Sequence, residues 1–273
     1  MTTLEDINDF KVKPLPIPPL PPLERIKGSD LFGMLYKNCF ICAPKNSGKT
    51  QALSNILMHT IGKKTNLIFF VSTASKDATY EALFELLERK KINYVVHSSI
   101  FNDNGKNVLE QLITSMLDQP DVPRTNKTVA KKVEPVISLF ENHVEEPKKE
   151  RKEKKDYPKF VFVFDDLSTE LRDPSIAKLL KIHRHLKSCV FMSSQRVTDL
   201  TPASFNQLDY CLIFRGYSSN VDRLQAIYQN IDVPIPFEQF VEMYRTATAE
   251  PYNFFYISKN NEYRKNFNQR FVL

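Results

Sequence analysis

The sequence predicts an α/β fold with a mostly parallel central sheet flanked by helices. Apolar runs of strand length alternate with stretches whose apolar residues have helical spacing, the pattern of a parallel sheet. A phosphate-binding pattern lies between the first such run and the first such stretch. A later apolar run ends in two consecutive acids. Because parallel strands end at one edge of a sheet, we expect these two motifs to meet there.

The phosphate-binding pattern is A-x-x-x-x-G-K-T at residues 43–50, where the usual pattern begins with glycine. Residues 39–42 are an apolar strand before it, and residues 51–58 have helical spacing after it. These flanks favour a phosphate loop over an ordinary turn that contains a lysine. Successive backbone N–H groups would surround a phosphate, and the following helix N-terminus would add positive charge. The residues expected to contact the nucleotide are Ala43, Pro44, Lys45, Asn46, Ser47, Gly48, Lys49, Thr50 and Gln51.

Within this loop, two side chains have distinct expected tasks. Lys49 would reach the β- and γ-phosphates of ATP, and the Thr50 hydroxyl would ligate Mg²⁺. Gly48 is expected where any side chain would obstruct the loop. Ala43 adds only a methyl group at the end of the strand, so the chemistry survives this departure.

Beyond the loop the alternation continues. Residues 66–72 form an apolar run typical of a strand buried on both faces, and residues 78–90 are predicted helical. A short strand at 93–97 and a helix at 108–117 follow. This order indicates strand–helix–strand units and a parallel sheet.

Two segments depart from that alternation. Residues 1–30 are proline-rich and predict an extended arm, which we expect to lie across its own or a neighbouring subunit rather than to bind an SH3-type domain. Residues 31–273 form the predicted ATPase domain, with a charged flexible insertion at about 118–159. The basic block KKERKEKK at 148–155 is most simply solvated, with DNA contact as the alternative. A short helix at 133–144 is expected within the insertion.

The second motif is an apolar strand at 160–164 followed by Asp165 and Asp166. Paired carboxylates at the end of a buried strand indicate a cation nearby. Asp165 would hold Mg²⁺, directly or through water, and Asp166 would polarise the attacking water. The alternative for Asp166 is a helix cap. A further strand at 188–194 ends at Gln195, which could reach the γ-phosphate.

The remaining elements complete the sheet. A helix is expected at about 173–187, and a strand at 210–214. Further helices are expected at 220–230 and 236–244. Alternating residues at 252–257 and 264–271 predict a C-terminal hairpin.

Composition indicates a globular protein with a sizeable core and gives no sign of a membrane span. The 273 residues are 42% hydrophobic, enough for a sizeable core, and the net charge of +6 is compatible with a polyanionic partner. All 4 cysteines lie in apolar strand runs, which favours small buried hydrophobes in a reducing, intracellular setting. No signal peptide is visible, and no apolar run approaches the roughly 18 residues of a membrane span.

Several features occur in one order along the chain. They are A-x-x-x-x-G-K-T, the apolar strand ending in Asp165-Asp166, the pair Arg184-His185 three residues before Ser188, and Gln195 closing the next strand. This arrangement resembles the genome-packaging ATPases of large DNA viruses and virophages, the poxvirus-type branch of the FtsK–HerA superfamily, over about residues 35–260. The resemblance implies a RecA-like P-loop NTPase core with ATP and Mg²⁺ as cofactors. It also implies a homo-oligomeric ring that drives double-stranded DNA into a capsid.

The resemblance also implies roles for particular residues. It assigns catalysis to Asp166 as base, Gln195 as sensor and Arg184 as a charge-neutralising residue, with Thr50 and Asp165 at the metal. Capsid portal or vertex proteins are implied partners. The implied location is the host cytoplasm, a viral factory or the virion.

Ring ATPases need an arginine offered across the subunit boundary. Arg184, Arg196 and Arg215 are the candidates, with Arg184 first because it belongs to the Arg-His pair. Relatives often carry an arginine and an asparagine after the sensor strand, but residues 201–206 contain no arginine.

Two other functions remain open: a helicase-like P-loop ATPase in replication or recombination, and an ATP-gated assembly factor that does not move DNA. Stimulation of hydrolysis by DNA would separate both DNA motors from the assembly factor. A GTPase is disfavoured because Asn126-Lys127 is followed by Thr128-Val129 and not by the x-D of N-K-x-D. A small-molecule kinase is disfavoured because no separate lid domain is visible.

Overall fold

The computed structural model describes residues 21–72, 77–118, 155–217, 220–231 and 233–273. Within them, nine strands form one sheet. Their bounds are β1 Asn38–Cys42, β2 Asn66–Val71, β3 Tyr94–His97, β4 Phe160–Asp165, β5 Ser188–Ser194, β6 Tyr210–Phe214, β7 Phe254–Ser258, β8 Tyr263–Lys265 and β9 Gln269–Arg270.

The strand order is β3-β2-β4-β5-β1-β6-β7-β8-β9. The strands β1 to β6 are mutually parallel, and β7, β8 and β9 continue the sheet in antiparallel fashion. The predicted mostly parallel sheet is therefore confirmed, and its C-terminal hairpin is β7–β8, extended by the short strand β9.

Helices cover both faces of the sheet. Their bounds are α1 Lys49–Thr60, α2 Ala78–Arg89, α3 Val108–Leu117, α4 Pro174–Ile182, α5 Pro202–Phe205, α6 Val221–Ile231 and α7 Phe237–Ala247. Alternate residues of each strand point to opposite faces, so two apolar cores form. Phe40 belongs to the core under α3 to α7, whereas its neighbour Ile41 belongs to the core under α1 and α2.

Local signals in the sequence explain where the helices begin. Asp77 accepts a hydrogen bond from the backbone N–H of Thr79 and so caps α2, and Asn107 caps α3 in the same way through Glu110. Asp173 precedes Pro174 at the first turn of α4, a favoured position for proline.

The helix predicted at 173–187 is shorter than expected. It ends at Ile182, and Lys187 takes a left-handed backbone conformation with φ 51°. The N–H of Ser188 then donates to the carbonyl of His183 at 2.9 Å, which closes the turn and starts β5. A left-handed position is not visible in the sequence because lysine is not a residue that favours it.

The four cysteines are free and buried in strands. Cys39 and Cys42 lie on opposite faces of the sheet, in different cores, because they are three residues apart in one strand. Their thiols therefore cannot converge on one ion. Burial raises the pKa of Cys42 to about 12, so this side chain stays a neutral thiol.

The described ends of the two predicted appendages pair with each other. Ile26 is buried and pairs with Asp156, whose N–H donates to the carbonyl of Arg25 at 2.6 Å. The boundaries expected at residues 30 and 159 stay predictions. Residues 1–20 and 119–154, with the expected helix at 133–144 and most of the basic block, lie outside the described residues. Among the described helices, none combines the length and apolar character needed to cross a bilayer.

Candidate nucleotide site

The phosphate loop runs from the end of β1 to the start of α1. Ala43 is fully buried, and its N–H donates to the carbonyl of Ser194 on β5 at 2.9 Å. Ala43 is not one of the residues with positive φ, so its methyl group causes no backbone strain. Asn46 takes the left-handed conformation instead, with φ 58°. The alanine in the glycine position is therefore compatible with the loop.

Gly48 is required on two grounds. Its φ is +85°, in the region that favours glycine, and it is the residue immediately before α1. A Cβ atom placed on it would also lie 3.0 Å from Cδ1 of Tyr252. Helix α1 then begins at Lys49, so its first backbone N–H groups and its positive dipole end face the loop.

The two acids at the end of β4 meet the lysine of the loop. Nζ of Lys49 lies 2.9 Å from Oδ1 of Asp165 and also donates to Oδ1 of Asp166. Burial alone lowers the pKa of Lys49, but the charge of Asp165 and the hydrogen bonds to both acids outweigh it, so the pKa is raised. Lys49 is therefore a cation held between two carboxylates. Asp166 contacts Lys49 while its own backbone is in the left-handed conformation, with φ 56°.

Asp165 is held from three sides and is 1% exposed. Besides Lys49, the Tyr80 hydroxyl donates to Oδ2 at 2.7 Å, and the Ser193 hydroxyl donates to Oδ1. Burial and then the charge of Asp165 raise the pKa of Tyr80, so it stays a donor. Sequence reasoning missed Tyr80 and Ser193. Tyr80 reads as an apolar-face residue of α2, and only the fold places it beneath β4.

Gln195 follows β5 at the same edge of the sheet. Its carbonyl accepts a hydrogen bond from the Tyr217 hydroxyl at 2.9 Å, and the N–H of Tyr217 donates to the Tyr244 hydroxyl at 3.0 Å. Tyr217 was also missed, because it lies in a loop with no motif of its own. A cleft of about 570 Å³ lies between the phosphate loop, the start of α2, Asp166 and Gln195. Its lining residues are Lys45, Asn46, Ser47, Gly48, Lys49, Thr50, Gln51, Asp77, Ala78, Thr79, Asp166 and Gln195.

The donor set fits Mg²⁺ bound with a triphosphate. The Thr50 hydroxyl lines the cleft at the first turn of α1, and the Asp165 carboxylate, which is not part of the lining, lies beside Lys49, from where it would hold the ion through water. No cluster of three or more acidic, histidine or cysteine side chains suited to a metal occurs within the described ranges. Mg²⁺ in nucleotide sites commonly takes only one or two protein oxygens and completes its shell with phosphates and water.

Arg184 lies away from this cleft. Its guanidinium is 3.2 Å from Asp209, which also accepts the N–H of Asn38 at the amino end of β1. The five residues of β1 separate this position from the phosphate loop by roughly 16 Å. The structure thus does not bring Arg184 together with the other expected site residues. Arg196 and Arg215 are exposed and follow β5 and β6 at the cleft's edge of the sheet.

The parallel sheet with β1 between β5 and β6, the phosphate loop after β1 and the acid at the end of β4 define a RecA-like P-loop NTPase fold. No protein-family model and no curated protein matches the sequence.

Solved structures do match the fold. The DNA-packaging ATPase B204 of Sulfolobus turreted icosahedral virus is similar, with a TM-score of 0.50 and 17% identity over 83% of this chain and 95% of that chain. The genome-packaging NTPase B204 of Sulfolobus turreted icosahedral virus 2, in complex with AMP, gives a TM-score of 0.51 and 18% identity over 83% and 94%. At this identity the likeness establishes the shared fold. These neighbours are viral packaging ATPases, the class that the motif resemblance indicated.

Proposed function

We propose that this protein is a Mg²⁺-dependent ATPase that drives double-stranded DNA into a viral capsid. The observation that carries the ATPase assignment is Lys49 held between Asp165 and Asp166 at the carboxyl edge of the sheet, below the phosphate loop. Two of the three charged side chains, Lys49 and Asp165, are buried or nearly so. Burying charged groups costs free energy, and such clusters are common at functional sites. The packaging assignment rests on the similarity in fold to B204 and on the motif resemblance.

The chain's own residues suggest how hydrolysis proceeds. The triphosphate would occupy the loop and compete with the two acids for the Lys49 ammonium group. Asp166, whose side chain is 29% exposed, would then lose its cationic partner and accept a proton from the attacking water. Asp165 would remain fixed by Tyr80 and Ser193. Bound Mg²⁺, held by Thr50 and Asp165, would neutralise phosphate charge.

Gln195 and an arginine would complete the site in a ring. Gln195 lines the cleft together with the phosphate loop, where it would contact the γ-phosphate or the water. We propose that Arg196 or Arg215, and not Arg184, reaches the neighbouring subunit's nucleotide, since both are exposed at this edge. A homo-oligomeric ring, contacts to a capsid portal or vertex, and a location in the viral factory or virion belong to the same proposal.

Steady-state ATP hydrolysis with and without linear duplex DNA, at two salt concentrations, tests the proposal. We expect DNA to stimulate hydrolysis, and higher salt to weaken this stimulation, because phosphate contacts release counterions. Lys49→Ala should lose ATP binding, and Asp166→Asn should bind ATP but hydrolyse it very slowly. Lys63→Ala, at an exposed lysine beyond α1, is the matched control.

The outcomes separate the alternatives. Hydrolysis that is indifferent to DNA would favour an ATP-gated assembly factor. Strand separation, without movement along intact duplex, would favour a helicase-like ATPase. Normal hydrolysis by Asp166→Asn would contradict its assignment as the base.

A further inference from the structure

Tyr252 is an exposed aromatic residue placed against the phosphate loop. Tyr252 is 70% exposed, yet its ring touches the phosphate loop. A Cβ atom added to Gly48 would lie 3.0 Å from Cδ1 of the ring. One side of the ring thus lies on Gly48 while most of the residue faces solvent. Tyr252 is not among the residues that line the cleft, but its ring borders the phosphate loop, and aromatic side chains are common in ligand sites.

The loop that carries Tyr252 is held in place on both sides. The side chain of Asn253 donates to Glu250 at 3.0 Å and accepts from Asn266 at 2.8 Å. The carbonyl of Asn253 accepts from the N–H of Arg215, after β6, at 3.3 Å. Tyr252 itself has φ 64°, an unfavourable conformation for a tyrosine that these contacts maintain. The backbone position of Tyr252 is therefore set by the fold.

The order of the strands determines which end of a nucleotide would pass Tyr252. Asp165 and Gln195, which mark the γ-phosphate end, follow β4 and β5 on one side of β1. Tyr252 precedes β7, on the other side of β1, so it lies toward the end of the nucleotide opposite the γ-phosphate. Between these two ends of the nucleotide, the loop after β6 packs closely on the phosphate loop. A Cβ atom added to Gly216 would lie 2.5 Å from the Pro44 ring.

We propose that Tyr252 is the platform on which the base of the bound nucleotide stacks. Aromatic rings and nucleobases stack through their π-faces, and purines offer the larger face. Tyr252 would then contribute to the affinity for ATP without contacting its phosphates. This inference rests on the proposed nucleotide site, and tripolyphosphate, which has the charges of ATP but no base, separates the two.

Tryptophan fluorescence gives a direct test because the chain contains no tryptophan. Tyr252→Trp introduces a single reporter, and we expect ATP with Mg²⁺ to quench it. Tripolyphosphate should bind, as measured by calorimetry, with little quenching. For Tyr252→Leu we expect ATP affinity to fall about tenfold, with unchanged affinity for tripolyphosphate. Tyr252→Phe should retain the affinity of the natural chain.

Phe101→Leu, at a partly exposed ring on another loop, is the control and should change neither affinity. Unchanged ATP affinity in Tyr252→Leu would overturn the stacking role. An equal loss for ATP and tripolyphosphate would also overturn it, because the ring would then act only by supporting the phosphate loop. If the natural chain binds neither ligand, the nucleotide site itself is wrong and the inference falls with it.

Discussion

Replacing Tyr80 by Phe removes a single hydroxyl group from beneath the nucleotide site. This hydroxyl donates to Oδ2 of Asp165 at 2.7 Å, and both residues are at most 1% exposed. The ring can stay in place against Phe69 and Phe84, so no cavity larger than one oxygen atom is made. The substitution therefore measures what the hydrogen bond contributes to holding the acid.

The size of the effect follows from the charge of the acceptor. A hydrogen bond to a charged group contributes about 1.5–3 kcal/mol to stability. Oδ1 of Asp165 keeps its contacts with Lys49 and Ser193, so we expect a loss of about 2 kcal/mol in the free energy of unfolding. For a domain of this size that corresponds to a fall of roughly 4–8 °C in Tm.

Urea unfolding in the absence of nucleotide measures the loss. Tyr94→Phe is a matched control, because its hydroxyl also donates to a carboxylate, Glu88 at 2.8 Å, but at the surface. We expect the control to change stability by no more than about 0.5 kcal/mol. Equal effects of the two substitutions would refute the reasoning. If the nucleotide site is as proposed, Tyr80→Phe should also need more Mg²⁺ for half-maximal hydrolysis.

Two of the three remaining predictions concern the amino end of the sheet. Arg184→Ala should leave hydrolysis unchanged and cost no more than about 1 kcal/mol of stability, because its pair with Asp209 is more than half exposed on the arginine side. Loss of ATPase activity in Arg184→Ala would contradict the placement of Arg184 outside the site. At the carboxyl edge, by contrast, we expect Arg215→Ala or Arg196→Ala to slow hydrolysis without weakening ATP binding. Burial lowers the pKa of His183 below that of an unfolded histidine, so the unfolded chain binds the proton more readily. The free energy of unfolding should therefore fall as the pH drops below about 6.5, and His183→Gln should reduce this fall in urea titrations at pH 7 and pH 5.

Local patterns in the sequence were sufficient for most of the fold. Residues 108–117 and 188–194 form the helix and strand predicted there, because helical spacing and a continuous apolar run are properties of neighbouring residues. The acids after residue 164 and the loop at 43–50 were predicted to meet because parallel strands end at one edge. The contacts of Lys49 with Asp165 and Asp166 agree with that expectation.

Other features depended on contacts between residues distant in sequence. Tyr80 reaches Asp165 across 85 positions, and Tyr217 reaches Gln195 across 22, so no local pattern marks either tyrosine. The Arg-His motif alone favours Arg184 as the arginine offered to the neighbouring subunit. Its place at the amino end of the sheet follows from where α4 ends and β5 begins.

The sequence by itself determined which strands are buried, where the helices begin and which residues could bind phosphate and metal, since these depend on spacing and residue type. Only the tertiary structure decided which side chains support that chemistry. Tyr252 shows the reason: its ring lies against Gly48, 204 residues earlier in the chain, because β7 enters the sheet two strands from β1. Strand order is a long-range property, and it fixes which loops surround the nucleotide cleft.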